Sequence, residues 1–307
     1  MTLFTPKEVI QKLESGVQFK EAELSRLKLE AVNVDGAVFI NCYMRGAILI
    51  DTSCQEANFK NTNLSFAKLT NVKGDRANLE RTELNSATLS EVNLNHANAY
   101  KAKLFGAKLD NLKASHIDLS FADLRQASGK NIYLSSANLN KVFLSQAKFD
   151  EINLERATVT NTGFQAAVIN NSRWHKANLQ NTNFNKSQIN NSYFNDASLV
   201  NAKFIEAELN NIEFIESELL ETNLTKAKLT NINFTNSTLL SANLEGAFLS
   251  DIDFTNANLQ DSNLENTSWQ NVNFANCNVD GAVFSDAKGL TEKQKQWLRK
   301  NGALNVR

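Results

Sequence analysis

Residues 57–69 read Ala57-Asn58-Phe59-Lys60-Asn61-Thr62-Asn63-Leu64-Ser65-Phe66-Ala67-Lys68-Leu69, and the spacing within this stretch decides the architecture. A large apolar residue recurs at every fifth position (Phe59, Leu64, Leu69), and a small one stands two places before it (Ala57, Thr62, Ala67). The remaining positions are mostly polar. The same phase extends in both directions without insertion or deletion, giving 54 consecutive units from Phe19 to Phe284. We term the Leu/Phe position the centre and the small one the minus-two position.

A period of five matches neither the 3.6 of a helix nor the 2.0 of a strand, so each unit must contain a bend that returns the centre to the inside. The chain therefore coils. A second period gives the size of the coil. Val32, Val72, Val92, Leu112, Ile132, Ile152, Ile212, Ile232, Ile252 and Val272 are separated by multiples of 20, and they are 10 of the 14 large aliphatics at minus-two positions. Four units thus make one turn, and one of the four walls differs from the rest. Asn71, Asn111, Asn131, Asn171, Asn191, Asn211, Asn231 and Asn271 share that phase one place upstream, which predicts a stacked polar ladder.

The A-[DN]-[LF]-x-x unit, seen in Ala77-Asn78-Leu79, Ala137-Asn138-Leu139, Ala177-Asn178-Leu179 and Ala257-Asn258-Leu259, resembles the pentapeptide-repeat family over about nine tenths of the chain. The resemblance implies an all-β fold, a right-handed quadrilateral parallel β-helix of about 13–14 coils with inward centre and minus-two side chains. With coils spaced like paired strands, ~4.8 Å apart, the expected length is roughly 65 Å. The segments Glu8–Gly16 and Gly289–Glu292 with Trp297 resemble the termini of many cyanobacterial members.

Both ends depart from the repeat. Thr5-Pro6-Lys7-Glu8 predicts an N-cap, a proline at the first helical position and a capping-box glutamate, with a helix over roughly residues 6–15 and Gly16 as its stop. Thr291-Glu292-Lys293-Gln294 repeats that logic, and Asn301-Gly302 ends the second helix. No linker composition interrupts the middle, so the expected organisation is one elongated domain: a helical cap at 1–16, the β-helix at 17–286 and a helical cap at 287–307. A single coil cannot bury enough to hold itself, so stability must come from stacking, and the open first and last coils need covers against strand addition. Trp297 and Leu298 fit that capping role; the alternative is a dimer contact.

Gly74, Ala99, Ala114 and Gly129 leave the centre underfilled, which predicts the weakest segment near residues 74–129. Leu112 is expected to offset Ala114, and Phe149 to lean into the gap at Gly129. At Trp174 the logic inverts, with the small Ser172 matching an oversized centre.

Chemistry-bearing motifs are sparse. Cys42, Cys54 and Cys277 all fall at inward positions, where a thiol behaves as a small hydrophobe. Three cysteines without paired spacing, and no signal segment or apolar run of 18 residues, point to a reduced cytoplasmic setting without membrane insertion. His96 and His116 share one outward column beside Arg76 and Arg156; cationic neighbours and the lack of a third ligand argue against a metal there. No nucleophile triad, phosphate loop or metal-ligand spacing occurs, and no cofactor is expected. The expected protein is not an enzyme.

Charge divides along the chain. Residues 17–150 carry 17 basic and 14 acidic side chains (+3), residues 151–284 carry 7 and 15 (−8), and residues 285–307 carry 6 and 2 (+4). Glu206, Glu208, Glu213, Glu216, Glu218 and Glu221 form an acidic belt around one coil. Beside it, Val200, Leu220 and Leu240 occupy one outward column, and Ile205 and Ile215 are also outward. With Glu218 and Glu221 as a charged rim, this set is the candidate partner-binding strip. The other outward aromatics, Phe66, Phe105, Phe121, Tyr133, Phe143 and Phe248, read as scattered, and the basic residues form no stripe interleaved with them. Direct nucleic-acid binding is therefore not expected.

Two functions follow. The first is a non-enzymatic protein-interaction scaffold or regulator, its partner unidentified and self-association included, as the resemblance to uncharacterised and developmental-regulator pentapeptide proteins implies. The alternative, also implied by the resemblance, is an acidic mimic of duplex DNA that binds or protects DNA gyrase. The basic first half, and the absence of a loop inserted between coils, oppose that alternative.

Overall fold

The computed structural model describes residues 4–307. The chain divides into two compact units, the first ending at Thr158 and the second beginning at Val159. Each is a parallel β-solenoid with a coil of twenty residues, and the fold is the right-handed β-helix with short helical caps.

In the first unit, strands Lys28–Glu30, Ile48–Ile50, Lys68–Thr70, Thr88–Ser90 and Lys108–Asp110 stack in parallel, followed by Ser128–Tyr133 and Lys148–Asn153. Register is held at twenty residues, as in Leu69↔Leu89. In the second unit the corresponding strands are Val168–Asn170, Gln188–Tyr193, Glu208–Glu213, Lys228–Asn233, Phe248–Asp253 and Ser268–Asn273, with pairs such as Ile212↔Ile232. On the other walls one short parallel pair, Phe19–Lys20 with Phe39–Ile40, stands near the N-terminal end, and the rest pair through single bridges such as Asn58↔Asn78 and Asn223↔Asn243.

The bend demanded by the period of five lies just after each centre. The residue two beyond it takes a left-handed conformation, for example Asn61 at φ 55°, Phe66 at 62° and Asn71 at 50°. At three corners of a coil the next minus-two N–H closes a turn onto the centre carbonyl, as in Thr62 N to Phe59 O at 3.0 Å and Ala67 N to Leu64 O at 3.0 Å. A positive φ at the third residue and a closing bond from the fourth describe a type II turn. The fourth corner is carried within a strand instead, as in Lys228–Asn233, where Asn231 has φ 53°. A corner without the tight closure is wider, and it is here that the minus-two position holds the large aliphatics. Ile212, Ile232 and Ile252 are buried at this corner, whereas Val32 and Val272, nearest the two ends, are half-buried. Three large aliphatics occupy closed corners instead, with closing bonds of 3.0 Å for Leu27, 3.3 Å for Ile117 and 3.2 Å for Val142.

The asparagine ladder has the same origin. Asparagine tolerates the left-handed conformation better than other side chains, and stacked at the coil repeat its amides bond one another. Asn131 donates to Asn111 at 3.0 Å in the first unit; in the second, Asn211 donates to Asn191 at 2.9 Å, Asn231 to Asn211 at 2.7 Å and Asn271 to Asp251 at 2.7 Å.

Centres stack into columns inside. Phe19, Phe39 and Phe59 lie parallel at 5.7 and 5.3 Å in the first unit; in the second, Trp174, Phe194, Phe214, Phe234 and Phe254 follow one another at 5.1–5.2 Å. The inverted packing at Trp174 is present as expected. Ser172 makes room for the indole and also accepts its N–H at 2.6 Å.

The underfilled centres behave differently from one another. At Gly74 an apolar void of about 20 Å³ remains, bounded in part by Leu64, Leu84 and Leu94. Gly129 corrects the sequence reading: it is a close approach of backbone rather than missing volume. A Cβ there would lie 2.1 Å from Leu109 O. On this wall the strand pairing shrinks to Lys108↔Ser128, and the Lys130 N–H is taken by the Asp110 carboxylate at 3.1 Å.

Helix α1 (Pro6–Glu14) begins at the predicted Thr5–Glu8 capping box, with Gly16 at φ 77° just beyond its end. Its Val9 is fully buried, and Phe4 meets Phe19 edge-on at 5.8 Å. Helix α2 (Glu292–Lys300) starts with the Thr291–Gln294 box, and the Gln294 amide also donates to Val272 O at 2.9 Å. Leu298 is fully buried and Trp297 stacks on Phe274 at 6.1 Å, the capping arrangement. Beyond α2, Leu304 pairs with Val283 and covers an edge that would otherwise template strand addition.

Candidate interaction surfaces

Every member of the predicted strip lies in the second unit. Val200, Leu220 and Leu240 form one corner column, joined by backbone bonds of 3.0 Å from Asn201 N to Leu220 O and Glu221 N to Leu240 O. Each occupies the first position after a centre, where the turn folds the side chain along the corner, so the three are half-buried rather than fully outward. Ile205 and Ile215 are half-buried too. The twenty-residue coil sets Ile205 one corner beyond this column and Ile215 one corner before it, so the apolar set wraps a ridge instead of lying on one wall. Their N–H groups are held by Asn185 at 3.0 Å and Asn195 at 3.1 Å. Glu218 and Glu221 are exposed on either side of Leu220, as a rim requires. Of the acidic belt, Glu206, Glu208 and Glu216 are also exposed, and Glu213 is half-buried.

A furrow of about 910 Å³ opens on another wall of the second unit. One bank is the ladder of Asn191, Asn211, Asn231, Asp251 and Asn271; the other is Tyr193, Glu213, Asn233 and Asp253, with backbone over Ile212, Ile232 and Ile252 as floor. Hydrogen bonds from Asn271 and Ser250 hold the Asp251 carboxyl below its ordinary value.

The three cysteines are buried and unpaired, and burial pushes the Cys54 and Cys277 thiols up to about 12. His96 and His116 stack 4.9 Å apart with planes 3° from parallel, a geometry that does not turn their nitrogens toward a common ion. Among the described residues no three metal-ligating side chains converge, and no helix is long and apolar enough to cross a membrane.

The first unit carries a surface that column-by-column reading missed. Tyr43, Phe66, Phe105, Phe121 and Phe143 are 55, 53, 39, 37 and 54 % exposed. All five belong to one wall and its two corners. The wall follows the bridges Tyr43↔Asn63↔Glu83↔Lys103↔Asp123↔Phe143. One corner holds Phe66 and Phe105, the other Tyr100 and Phe121. Basic side chains sit over these rings: Arg45 on Phe66 at 4.4 Å, Arg125 on Phe105 at 5.9 Å, and Lys101 and Lys141 on Phe121 at 5.8 and 5.2 Å. The scatter read from the sequence is therefore corrected for four of the aromatics. Phe66, Phe105, Phe121 and Phe143 occupy different columns but adjoining ones; Tyr133 and Phe248 stay apart. The signal that could have found them is membership of neighbouring columns rather than of one.

Models described as pentapeptide repeats (8 copies) match residues 37–73, 75–111 and 117–156, and one described as a pentapeptide repeat region matches 167–244, 187–264 and 207–284. Solved structures similar to this chain include trypsin-treated QnrB1, a plasmid-mediated fluoroquinolone resistance protein, at 18% identity over 76% of this chain and 94% of that one, with a TM-score of 0.48. Another is HetL, involved in heterocyst differentiation regulation in the cyanobacterium Nostoc sp. strain PCC 7120, at 22% identity over 93% and 98% with a TM-score of 0.26. Rfr23 from the cyanobacterium Cyanothece 51142 matches at 27% identity over 32% and 64%, TM-score 0.29. No curated protein matches the sequence.

Proposed function

Because the chain belongs to the pentapeptide-repeat family, whose repeats build walls and ridges rather than enclosed clefts, we propose that it is a cytoplasmic, non-enzymatic scaffold or regulator that docks a protein partner. The observation that carries this reading is the corner ladder Val200–Leu220–Leu240, a run of aliphatic side chains at the coil repeat, rimmed by exposed Glu218 and Glu221. Stacked coils hold such a ridge without the ordering cost that a flexible loop brings to binding. Apolar anchors inside a charged rim match the composition of protein interfaces.

Leu220→Lys tests the reading, because the lysine stem can lie along the corner with its ammonium in water. The variant should keep the wild-type unfolding temperature and lose a partner that the wild type retains in a side-by-side pull-down, or lose self-association measured by sedimentation. Equal retention by both proteins would remove the ridge as the site.

A second reading, the DNA mimic acting on gyrase, is favoured by one observation, the exposure of Glu206, Glu208, Glu216, Glu218 and Glu221 around one coil. Protection of gyrase by the wild type, lost in a variant with these glutamates changed to glutamine, would place it ahead of the scaffold.

A further inference from the structure

The aromatic wall of the first unit combines exposed rings with a local excess of cations. Clustered exposed aromatic rings mark a contact surface, and here cations lie beside three of them, Phe66, Phe105 and Phe121. Between residues 100 and 143 the wall and its corners carry Lys101, Lys103, Arg125 and Lys141 against the single acid Asp123. Arg125 is paired with Asp123 at 2.7 Å and Lys103 with Glu83 at 2.8 Å. Among the described residues Lys101, Lys141 and Arg45 meet no carboxylate within ion-pair distance; each lies instead over an aromatic ring. Their charge faces outward uncancelled, and Phe143, 54 % exposed, presents its ring beside them.

We infer that this wall binds single-stranded nucleic acid. The chemistry matches on both counts: the unpaired Lys101, Lys141 and Arg45 meet phosphates, and exposed rings stack with bases, an interaction that tolerates any sequence because every base has a π-face. A single strand is favoured over a duplex because the wall has no helix or ribbon projecting into a groove, whereas splayed bases lie against flat aromatic faces. The unit as a whole has the matching sign: residues 1–158 carry 20 basic and 18 acidic side chains. This function is independent of the ridge in the second unit.

The test is fluorescence anisotropy of the full chain with labelled dT and rU oligomers of about 20 nucleotides, from about 50 to 200 mM salt, with unfolding temperatures confirming that each variant is folded. Phe143→Ala should weaken binding by about 5- to 150-fold, the range for removing one base-stacking ring. The double substitution Lys101→Gln/Lys141→Gln should reduce the slope of log affinity against log salt by roughly 1.4, for two lost single-strand phosphate contacts. Absence of binding at the lowest salt overturns the inference, as does affinity unchanged in both variants, which would place binding elsewhere. Duplex DNA bound as tightly as single strands also overturns it. So does equal competition by poly-glutamate of matched charge, which would make the wall a site for acidic protein segments.

Discussion

Replacing Gly129 by alanine should destabilise the first unit, the reverse of what an underfilled centre implies. If Gly129 marked a void, a methyl group there would contribute about 0.8 kcal/mol of burial and a further ~0.4–1 kcal/mol through the stiffer unfolded chain. The structure opposes this. The new Cβ would lie 2.1 Å from Leu109 O and 2.7 Å from its carbonyl carbon, and ordinary contact begins at 3.4 Å, so the coils would have to part by roughly 1.3 Å. A backbone carbonyl cannot swing aside as a side chain can, which puts the cost near the upper end of the ~1–3 kcal/mol typical of overpacking. The net expectation is a loss of about 1–2 kcal/mol. Gly74→Ala is the internal control. Its Cβ would meet the flexible tip of Leu94 at 3.0 Å and the Asn93 carbonyl oxygen at 3.3 Å, a far smaller backbone encroachment than at Gly129 and beside the void of about 20 Å³, so the net change should stay within about 1 kcal/mol of zero. Urea unfolding followed by circular dichroism ranks the variants, and hydrogen exchange at residues 108–133 locates the effect, since stacked coils need not unfold as one. A Gly129→Ala protein as stable as wild type, or less affected than Gly74→Ala, would refute the reasoning.

Trp297→Ala removes a half-buried ring that stacks on Phe274 and should cost about 1–3 kcal/mol, below the value for a fully buried tryptophan. Exchange protection at Ser268–Asn273 should fall before that of more interior coils; uniform protection would show that α2 is not a cap. Asp251 should titrate below the ordinary 3.8 of an aspartate, because Asn271 first and Ser250 second hydrogen-bond its carboxylate. A depressed folded value means that its contribution to stability is present above the unfolded pKa and disappears as pH falls through the lower folded one. Side-chain carboxyl shifts followed by NMR should show Asn271→Ala moving the midpoint upward, and an unmoved midpoint would remove the ladder as the cause.

Much of the fold was legible because it depends on separations along the chain. The inward residues recur every five positions and the odd wall every twenty, so Leu69, Phe59, Ile232 and the Asn211 column could be placed before any coordinates. The capping boxes at Thr5–Glu8 and Thr291–Gln294 are local as well, each needing only residues three apart. The surface was less legible. Val200, Leu220 and Leu240 do share a column, yet the turn lays them along a corner, half-buried. Phe66, Phe105, Phe121 and Phe143 looked scattered because no two of them are a multiple of twenty apart.

The sequence by itself determined the coil, its four walls, the inward side chains and the capping helices, because each follows from a repeating local constraint on backbone direction. Only the tertiary structure decided how adjoining columns pool into one aromatic and basic wall, how far corner side chains are covered, and that Gly129 marks a pinch instead of a void. Those outcomes depend on the angle of each corner and the distance between successive coils, quantities that arise when coils pack and that no single repeat encodes.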